Sequence, residues 1–268
     1  MFTKIVCAVG LMTVLLSIGN AQADQSEDQM SIGQRFHHET SFGDRGFKGD
    51  GSYRGRNLPL YKVYDGAVTV SLPPPKPGSG SVEEAITQRR STRRFADTPV
   101  SLEELSGLLL AAAGITYHGK GLSLRAAPSG GALYPCEIYV VAQNVDSLKA
   151  GLYHYQVSDS TLELVEEEDH GRQLHQASHN QNAVGSSPVT VVLTARFDRS
   201  TRKYGDRGFR YAYIEVGAIA ENICLQAASL SLGTVCIGAF NDDALNQLLG
   251  IDGKEEAALL IMPVGIPR

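Results

Sequence analysis

Four arginines around two hydroxyl side chains form the strongest chemical signal in this chain, in the run Arg89-Arg90-Ser91-Thr92-Arg93-Arg94. Guanidinium groups stay charged at physiological pH, and their planar donors match phosphate oxygens. A second run, Pro128-Ser129-Gly130-Gly131-Ala132-Leu133-Tyr134-Pro135, joins small residues to a proline at each end. Such a segment lets the backbone approach a flat ligand closely. The arginines alone would also fit the solvated end of a helix, but the two runs together predict a nucleotide-like cofactor.

The composition is that of a globular protein and argues against a nucleic-acid partner. Of the 268 residues, 43% are hydrophobic and 20% are charged, which is enough for an ordinary core. The formal net charge is -5, so no positive excess exists to neutralise the phosphates of a duplex. We therefore expect the arginines to bind one small anion.

The cysteines and histidines do not form a metal-binding pattern. Cys7 lies in the N-terminal apolar stretch, and Cys136, Cys224 and Cys236 show no CxxC spacing. One disulfide among these three is compatible with an oxidising compartment, but sequence does not identify the pair. Cys136 and Cys236 lie in apolar runs and are expected to be buried. His175 and His179 have the spacing of a two-histidine metal face but lack a third ligand, so no metal is predicted.

Residues 1–23 have the features of a cleavable secretory signal. Lys4 precedes an apolar stretch, and Ala21-Gln22-Ala23 supplies a cleavage site before Asp24. The apolar stretch is short for a membrane anchor, the alternative interpretation. We expect export, a periplasmic location and no membrane attachment after cleavage. Residues 24–80 are polar and rich in glycine, and they end in a proline-rich stretch typical of an arm and linker.

From Ser81 onward the pattern predicts one α+β domain, residues 81–268. Capping boxes at Ser81 and Ser101 begin two helices. Helices and strands are mixed without a strict βαβ repeat, which favours an α+β fold over a Rossmann fold. The predicted helices are 81–90, 101–114, 170–182, 209–232 and 242–249, and the predicted strands are 137–143, 152–155, 162–165, 188–195, 234–239 and 257–264.

Several separated motifs, in order, resemble one known family. They are RRSTRRF, APSGGALYPCEIYVV, GLYHY, RKYGDRGFRYAYIEVG followed by EN, and LGTVCIGAF. This order is similar to that of the SagB-type dehydrogenases in the nitroreductase-like flavoenzyme superfamily. The resemblance implies a nitroreductase-like fold with a central mixed sheet flanked by helices. It also implies an interlocked homodimer that binds FMN non-covalently at its interface.

The resemblance further implies roles for individual residues. The FMN phosphate and ribityl chain would contact Arg89, Arg90, Ser91 and Arg93, whereas Arg94 departs from the family's spacing and is expected at the surface. The isoalloxazine ring would lie between Gly238 and the loop formed by Pro128, Ser129, Gly130, Gly131, Ala132 and Leu133. Lys203 and Tyr204 match a catalytic pair of azole-forming members, which removes a proton from an azoline while hydride passes to the flavin. From its residues alone, segment 199–207 is also typical of an exposed charged loop.

This chain departs from the family pattern at Ala218 and Glu221, where relatives carry histidine and glutamine. The departure leaves FMN binding in place but removes a polar contact that the azoline reaction could use. We expect an exported FMN-dependent oxidoreductase that dehydrogenates a small or peptide-borne substrate, with azoline-to-azole oxidation as one such reaction. Two alternatives stay open: an NAD(P)H-dependent nitro or quinone reductase, and a flavin-binding protein without turnover.

Overall fold

A computed structural model describes residues 30–41, 59–119 and 122–268. The expected signal peptide, 1–23, lies outside the described residues. The chain divides into two units, 1–48 and 49–268. In the first unit, helix α1 (Ile32–Glu39) begins at Ser31 with a capping box completed by Gln34. Within the described ranges, no helix has the length and apolar character needed to cross a membrane.

The second unit is built on a seven-stranded sheet with a separate two-stranded hairpin. The strands are β1 (Thr69–Ser71), β2 (Ile115–Gly119), β3 (Leu122–Arg125), β4 (Cys136–Ala142), β5 (Gly151–Gln156), β6 (Thr161–Glu166), β7 (Val189–Arg196), β8 (Gly233–Thr234) and β9 (Glu256–Gly265). The sheet order is β1-β6-β5-β4-β7-β9-β8, and every pairing between these strands is antiparallel. We expected a mixed sheet, but parallel contact is confined to isolated bridges such as Ser91 with Thr234.

Helices cover both faces of the sheet. Ile138 and Val140 of β4 belong to one core with the long helix α7 (Arg207–Ser229), whereas the alternating Tyr139 and Val141 belong to a second core on the other face. This alternation explains why every residue of β4 is buried. The helices are α2 (Val82–Gln88), α3 (Leu102–Ala113), α4 (Gly171–Ala177), α5 (Asn182–Gly185), α6 (Phe197–Tyr204), α7 (Arg207–Ser229) and α8 (Asp242–Leu249).

The structure corrects three local predictions. The single helix 170–182 is wrong, because His179 and Asn180 adopt left-handed φ angles of 57° and 56° and separate α4 from α5. The strand 234–239 is much shorter than predicted, and beyond β8 it continues as an isolated bridge from Ile237 to Ile261. The charged segment 199–207 is largely helical, in α6 and the start of α7, rather than a loop.

The described part of the expected arm, residues 59–80, belongs to the domain. Its strand β1 pairs with β6, with Val70 opposite Leu162. The Ser106 hydroxyl of α3 donates to the carbonyl of Pro73 over 2.6 Å. Lys76 forms an ion pair of 2.7 Å with Glu104 of the same helix. The Pro-rich stretch therefore packs along helix α3 in this structure.

Candidate functional site

The glycine loop 128–133 is held in an unusual backbone conformation. Gly131, Ala132 and Tyr134 all have left-handed φ angles, of 69°, 53° and 46°. The Ser129 hydroxyl accepts a hydrogen bond of 2.9 Å from the Tyr134 amide. The Tyr134 hydroxyl in turn accepts one of 3.2 Å from the amide of Arg125. Left-handed residues other than glycine cost energy, so these bonds keep a strained turn in one shape.

Lys203 and Tyr204, at the end of α6, lie against this loop. A β-carbon at Gly131 would stand 2.6 Å from the Tyr204 hydroxyl and 2.7 Å from Lys203 Nζ. Both side-chain tips therefore occupy space that a larger residue would fill. The Tyr204 ring also packs edge-on against Tyr211, with 4.8 Å between ring centres. The structure thus brings together the loop and the Lys-Tyr pair, which are about seventy residues apart in sequence.

The loop and helix α6 are held together by a buried ionic network. Its members are Arg199, Glu137, His154 and Glu163. Arg199, which is fully buried on α6, donates 2.9 Å to the carbonyl of Tyr134 and pairs at 2.5 Å with Glu137. His154 bridges Glu137 and Glu163 at 3.0 and 2.8 Å. Burial acts to raise the pKa of Glu137, but the His154 hydrogen bond and the Arg199 charge outweigh it and lower that pKa. The network therefore ties the loop to α6 through Arg199 and Glu137, and the lowered pKa of Glu137 favours its ionised form.

Glu215 of α7 is a site residue that our sequence reasoning missed. It is buried, and its side chain hydrogen-bonds to Ser129 of the loop. Burial raises its pKa to about 7, although that hydrogen bond, the charge of Arg125 and the contact with Cys136 act in the opposite direction. An acidic residue inside a mostly apolar helix was the available sequence signal. A buried carboxyl group with a pKa of about 7 therefore contacts the loop at Ser129.

The arginine run begins at the C-terminal end of α2. Arg89 caps this helix and is half-buried, whereas Arg90 is exposed and its Nη1 donates to the carbonyls of Thr87 and Arg89. Ser91 is exposed and bridges Thr234 of β8. The Thr234 hydroxyl is buried and is without a hydrogen-bond partner among the described residues. These groups form a donor-rich corner.

Gly238 follows a residue that is influenced by Arg89. Arg89 acts electrostatically on Cys236, which precedes Gly238 by two residues. Gly238 is exposed, and nothing lies within 4 Å of where its β-carbon would stand. We call Arg89, Ser91, Thr234 and Gly238 the arginine corner. Its open glycine is suited to a close backbone approach by a flat group.

Arg93 and Arg94 are both exposed and border one shallow depression with His175 and Arg268. Arg94 is therefore at the surface, as expected. The structure places Arg93 beside it at the edge of this depression. The predicted difference between Arg93 and Arg94 accordingly stays a prediction.

Helix α7 is near both groups. We call segment 128–133 together with Lys203 and Tyr204 the Lys-Tyr loop; Glu215 hydrogen-bonds to Ser129 of this loop, and the charge of Arg89 acts on Cys224. The nine residues from Glu215 to Cys224 span roughly 13 Å along the helix axis. The two groups are therefore associated with different turns of α7.

The histidine pair considered for a metal does not form a helical face. His179 lies beyond the end of α4, so the spacing of four no longer aligns it with His175. Another group, Glu166, Glu168 and His170, has ligand atoms within 4.8 Å of one another. Both carboxylates are exposed, and exposed acidic groups need no ion.

Comparison with known proteins identifies relatives over most of the domain. The nitroreductase family model matches residues 86–266. A protein of Methanocaldococcus jannaschii named as a nitroreductase is 40% identical over 184 residues, covering 69% of this chain and 90% of that protein. The microcin B17-processing protein McbC of Escherichia coli is 27% identical over 144 residues, covering 52% of this chain and 53% of McbC. This chain thus matches about half the length of McbC.

Solved structures agree with this fold. A nitroreductase structure from Ralstonia eutropha has a TM-score of 0.65 at 30% identity, covering 80% of this chain and 96% of that one. A nitroreductase from Desulfovibrio desulfuricans, solved in complex with FMN, has a TM-score of 0.51 at 21% identity, covering 70% and 87%. At that identity the likeness concerns the fold alone. The nitroreductase-like α+β fold expected from the motifs is confirmed.

Proposed function

The chain belongs to the nitroreductase family, and on this premise we propose that it is an FMN-dependent oxidoreductase. It would remove two electrons from a small or peptide-borne substrate. The observation that carries the proposal is the meeting of Lys203 Nζ and the Tyr204 hydroxyl at Gly131. This meeting places two proton-handling groups beside the loop that would lie against the ring.

The residues of the arginine corner fit the phosphate end of FMN. Arg89 supplies charge, Ser91 and Thr234 supply hydroxyl groups, and the Thr234 hydroxyl is buried and unpartnered among the described residues. Gly238 leaves open space for a ring edge. Arg90, next to Arg89, is exposed and adds positive charge beside this corner. When bound, FMN supplies a two-electron acceptor.

Lys203 and Tyr204 would handle the substrate proton. A lysine amine that is unprotonated takes a proton from substrate carbon, and an adjacent phenol polarises or relays it. Arg199 and Glu137 fix α6 behind this pair, so that both tips stay against the loop. Glu215 positions Ser129 from beneath. The chain's own residues thus orient the substrate carbon and hold the proton at one place.

A second copy of the chain would complete the site, and we propose a homodimer. The association of the arginine corner and the Lys-Tyr loop with different turns of α7 supports this arrangement, because a partner's loop could meet the corner. Apolar side chains on the surface of α2 and α7 also support it, since Val82, Ile86 and Ile214 are 65%, 55% and 63% exposed. Mixed dimers test it. Arg89→Ala and Lys203→Met proteins, each inactive alone, should regain activity when they are refolded together. A mixture that is no more active than the separate variants would contradict a site shared between two chains.

The flavin proposal is tested first by absorption spectroscopy. The purified protein, or the apoprotein with added FMN, should show the spectrum of a bound flavin. A protein that stays colourless after incubation with FMN and gel filtration would refute the proposal.

The reaction is tested by anaerobic bleaching of the bound flavin with a thiazoline- or oxazoline-containing peptide. Lys203→Met should slow bleaching by about two orders of magnitude, the size of a typical general-base contribution. Lys254→Met, which alters an exposed lysine far along the chain, is the matched control. Equal rates in both variants would remove Lys203 from the mechanism and favour a flavin-binding protein without turnover.

A reductase working in the opposite direction is the second candidate. The observation that favours it is the 40% identity to the protein of Methanocaldococcus jannaschii named as a nitroreductase. Bleaching by NADPH, followed by reoxidation with a quinone or nitroaromatic compound, would support this direction. Bleaching by the azoline peptide but not by NADPH would exclude it.

Export is a separate part of the proposal and rests on residues 1–23. Cleavage before Asp24 predicts a mature protein that begins at that residue. N-terminal sequencing of protein from fractionated cells tests this. A protein that still carries residues 1–23 would contradict export by cleavage.

A further inference from the structure

Two cysteines meet at the arginine corner. Cys224 is buried on α7, and Cys236 follows β8 at an exposed position. Their sulfur atoms are 3.9 Å apart. The remaining described cysteine, Cys136, is buried on β4, and its sulfur lies 3.9 Å from the carbonyl oxygen of Ala212. The expectation that Cys236 is buried is therefore wrong, because β8 ends before this residue.

We propose that Cys224 and Cys236 form a reversible disulfide and are a redox modification site of this protein. A disulfide needs a sulfur–sulfur distance of about 2.05 Å, so the two atoms must approach by about 1.9 Å. Rotation of the exposed Cys236 side chain, in a segment outside the regular part of β8, can supply this approach. Cys136 is buried in the central sheet and is not part of the pair.

Cys236 is the thiol that an external oxidant reaches first, since it is exposed whereas Cys224 is buried. The hydrogen bond from the Cys224 thiol lowers the pKa of Cys236 and, in the same contact, raises that of Cys224. Arg89 also favours the Cys236 thiolate, and Glu221 opposes it. A thiolate is the attacking species in disulfide exchange. The arrangement thus has an exposed attacking sulfur and a buried resolving sulfur.

The reaction balances with an external disulfide as oxidant. The Cys236 thiolate attacks one sulfur of that disulfide, forming a mixed disulfide and expelling the first thiolate. Cys224 then loses its proton and attacks the Cys236 sulfur, which forms the internal bond and expels the second thiolate. Two electrons pass from the protein dithiol to the external disulfide, which is reduced to two thiols. Export, proposed above, would place the pair in a compartment where such disulfides are available.

The bond would join α7 to the segment that carries Gly238. Because β8 also bridges Ser91, oxidation would hold the arginine corner on three elements at once. The closed ring spans twelve positions, and a ring of this size restricts the unfolded chain appreciably. We expect the oxidised protein to unfold about 6–12 °C higher than the reduced protein.

The test uses the protein that begins at Asp24, the mature form proposed above, which lacks Cys7; it is purified with its cofactor and equilibrated in buffers of reduced and oxidised glutathione. Oxidation should lower the intact mass by two hydrogen atoms. Chymotrypsin cleaves after Leu225, Leu230 or Leu232 and should release two peptides joined through Cys224 and Cys236, whereas trypsin would leave both cysteines in one peptide. A stable glutathione adduct on Cys236 without ring closure, or a bond between two chains on a non-reducing gel, would overturn the proposal.

Two variants make the outcome specific. Cys224→Ser should stop at the glutathione adduct on Cys236, because the resolving sulfur is gone. Cys136→Ser should close the ring as the unmodified protein does. If Cys224→Ser folds poorly, the proposal is decided by the chymotryptic peptides of the protein without substitutions, which either are or are not joined through Cys224 and Cys236. Ring closure that is lost equally in both variants would contradict the assignment of the pair.

Discussion

Replacing Gly131 with alanine tests the central contact of the candidate site. The new β-carbon would stand 2.6 Å from the Tyr204 hydroxyl and 2.7 Å from Lys203 Nζ. Non-bonded heavy atoms prefer about 3.5 Å or more. The two tips must therefore retreat by about 0.8 Å or more, and they can do so because both end flexible side chains.

The expected magnitudes follow from this displacement and from the backbone. The φ angle of Gly131 is 69°, a conformation that costs an L-residue roughly 1–2 kcal/mol. In a domain of this size that cost lowers the unfolding midpoint by about 2–8 °C. A misplacement near 1 Å can lower a catalytic rate about 10²-fold. We expect a modest loss of stability with a large loss of rate.

Gly250→Ala is the matched control for this prediction. Gly250 has a φ of 66° and nothing within 4 Å of where its β-carbon would stand, so it carries the backbone cost without the clash. Thermal unfolding and the anaerobic rate of flavin bleaching would be measured for both variants. A Gly131→Ala protein as fast as Gly250→Ala would refute the claim that Lys203 and Tyr204 must contact the loop.

Three further predictions follow from packing and charge. Gly233→Ala places a β-carbon 2.5 Å from Cβ of Thr92 and should weaken FMN binding about tenfold, or 1.4 kcal/mol; unchanged affinity in a fluorescence titration would contradict it. Arg199→Met removes the Arg199 charge from buried Glu137, which keeps His154 as a partner, and should lower the free energy of unfolding by about 3–5 kcal/mol. Exposed Arg172→Met should change it by less than about 0.5 kcal/mol in urea titrations. The folded-state pKa of Glu215 is raised to about 7, so the folded protein holds this proton at pH values where the unfolded chain has lost it. The free energy of unfolding should therefore fall by roughly 3 kcal/mol as pH rises from 4.5 to 7. Glu215→Gln should abolish that part of the pH dependence.

The helices and central strands could be predicted because local signals agreed with the final packing. Ser81 and Ser101 each form the capping box that their spacing indicates. The apolar runs of β4, β7 and β9 are central strands, buried over most of their length by helices that cover both faces of the sheet. These features need no knowledge of distant contacts, so sequence periodicity was sufficient.

The remaining elements depend on tertiary contacts that local patterns do not record. β1 is three residues long and exists because β6 offers an open edge. The split between α4 and α5 depends on the left-handed residues His179 and Asn180, neither of which is a glycine. A polar, cation-rich segment forms α6 because Arg199 has a buried partner in Glu137. Charge density alone favoured a loop.

The candidate site was predictable in its residue types and only partly in its arrangement. Motif order led to Gly131, Lys203 and Tyr204, which the structure brings together. The role of Glu215 depends on the depth at which α7 is buried, and a single sequence does not give that depth. The proximity of Cys224 and Cys236 likewise depends on how the chain returns after α7.

The short strand β1 also protects the sheet against self-association. Without it, β6 would present unpaired amide and carbonyl groups along its outer side, and exposed edges of this kind template pairing between chains. At the opposite side the edge strand β8 has just two residues, which leaves little to pair with. A shortened protein that starts at Ser81 would lose the packing of Tyr61 and Tyr64 against the two cores and would expose the edge of β6, so it should aggregate. Residues 59–80 therefore cover a sheet edge as well as adding to the fold.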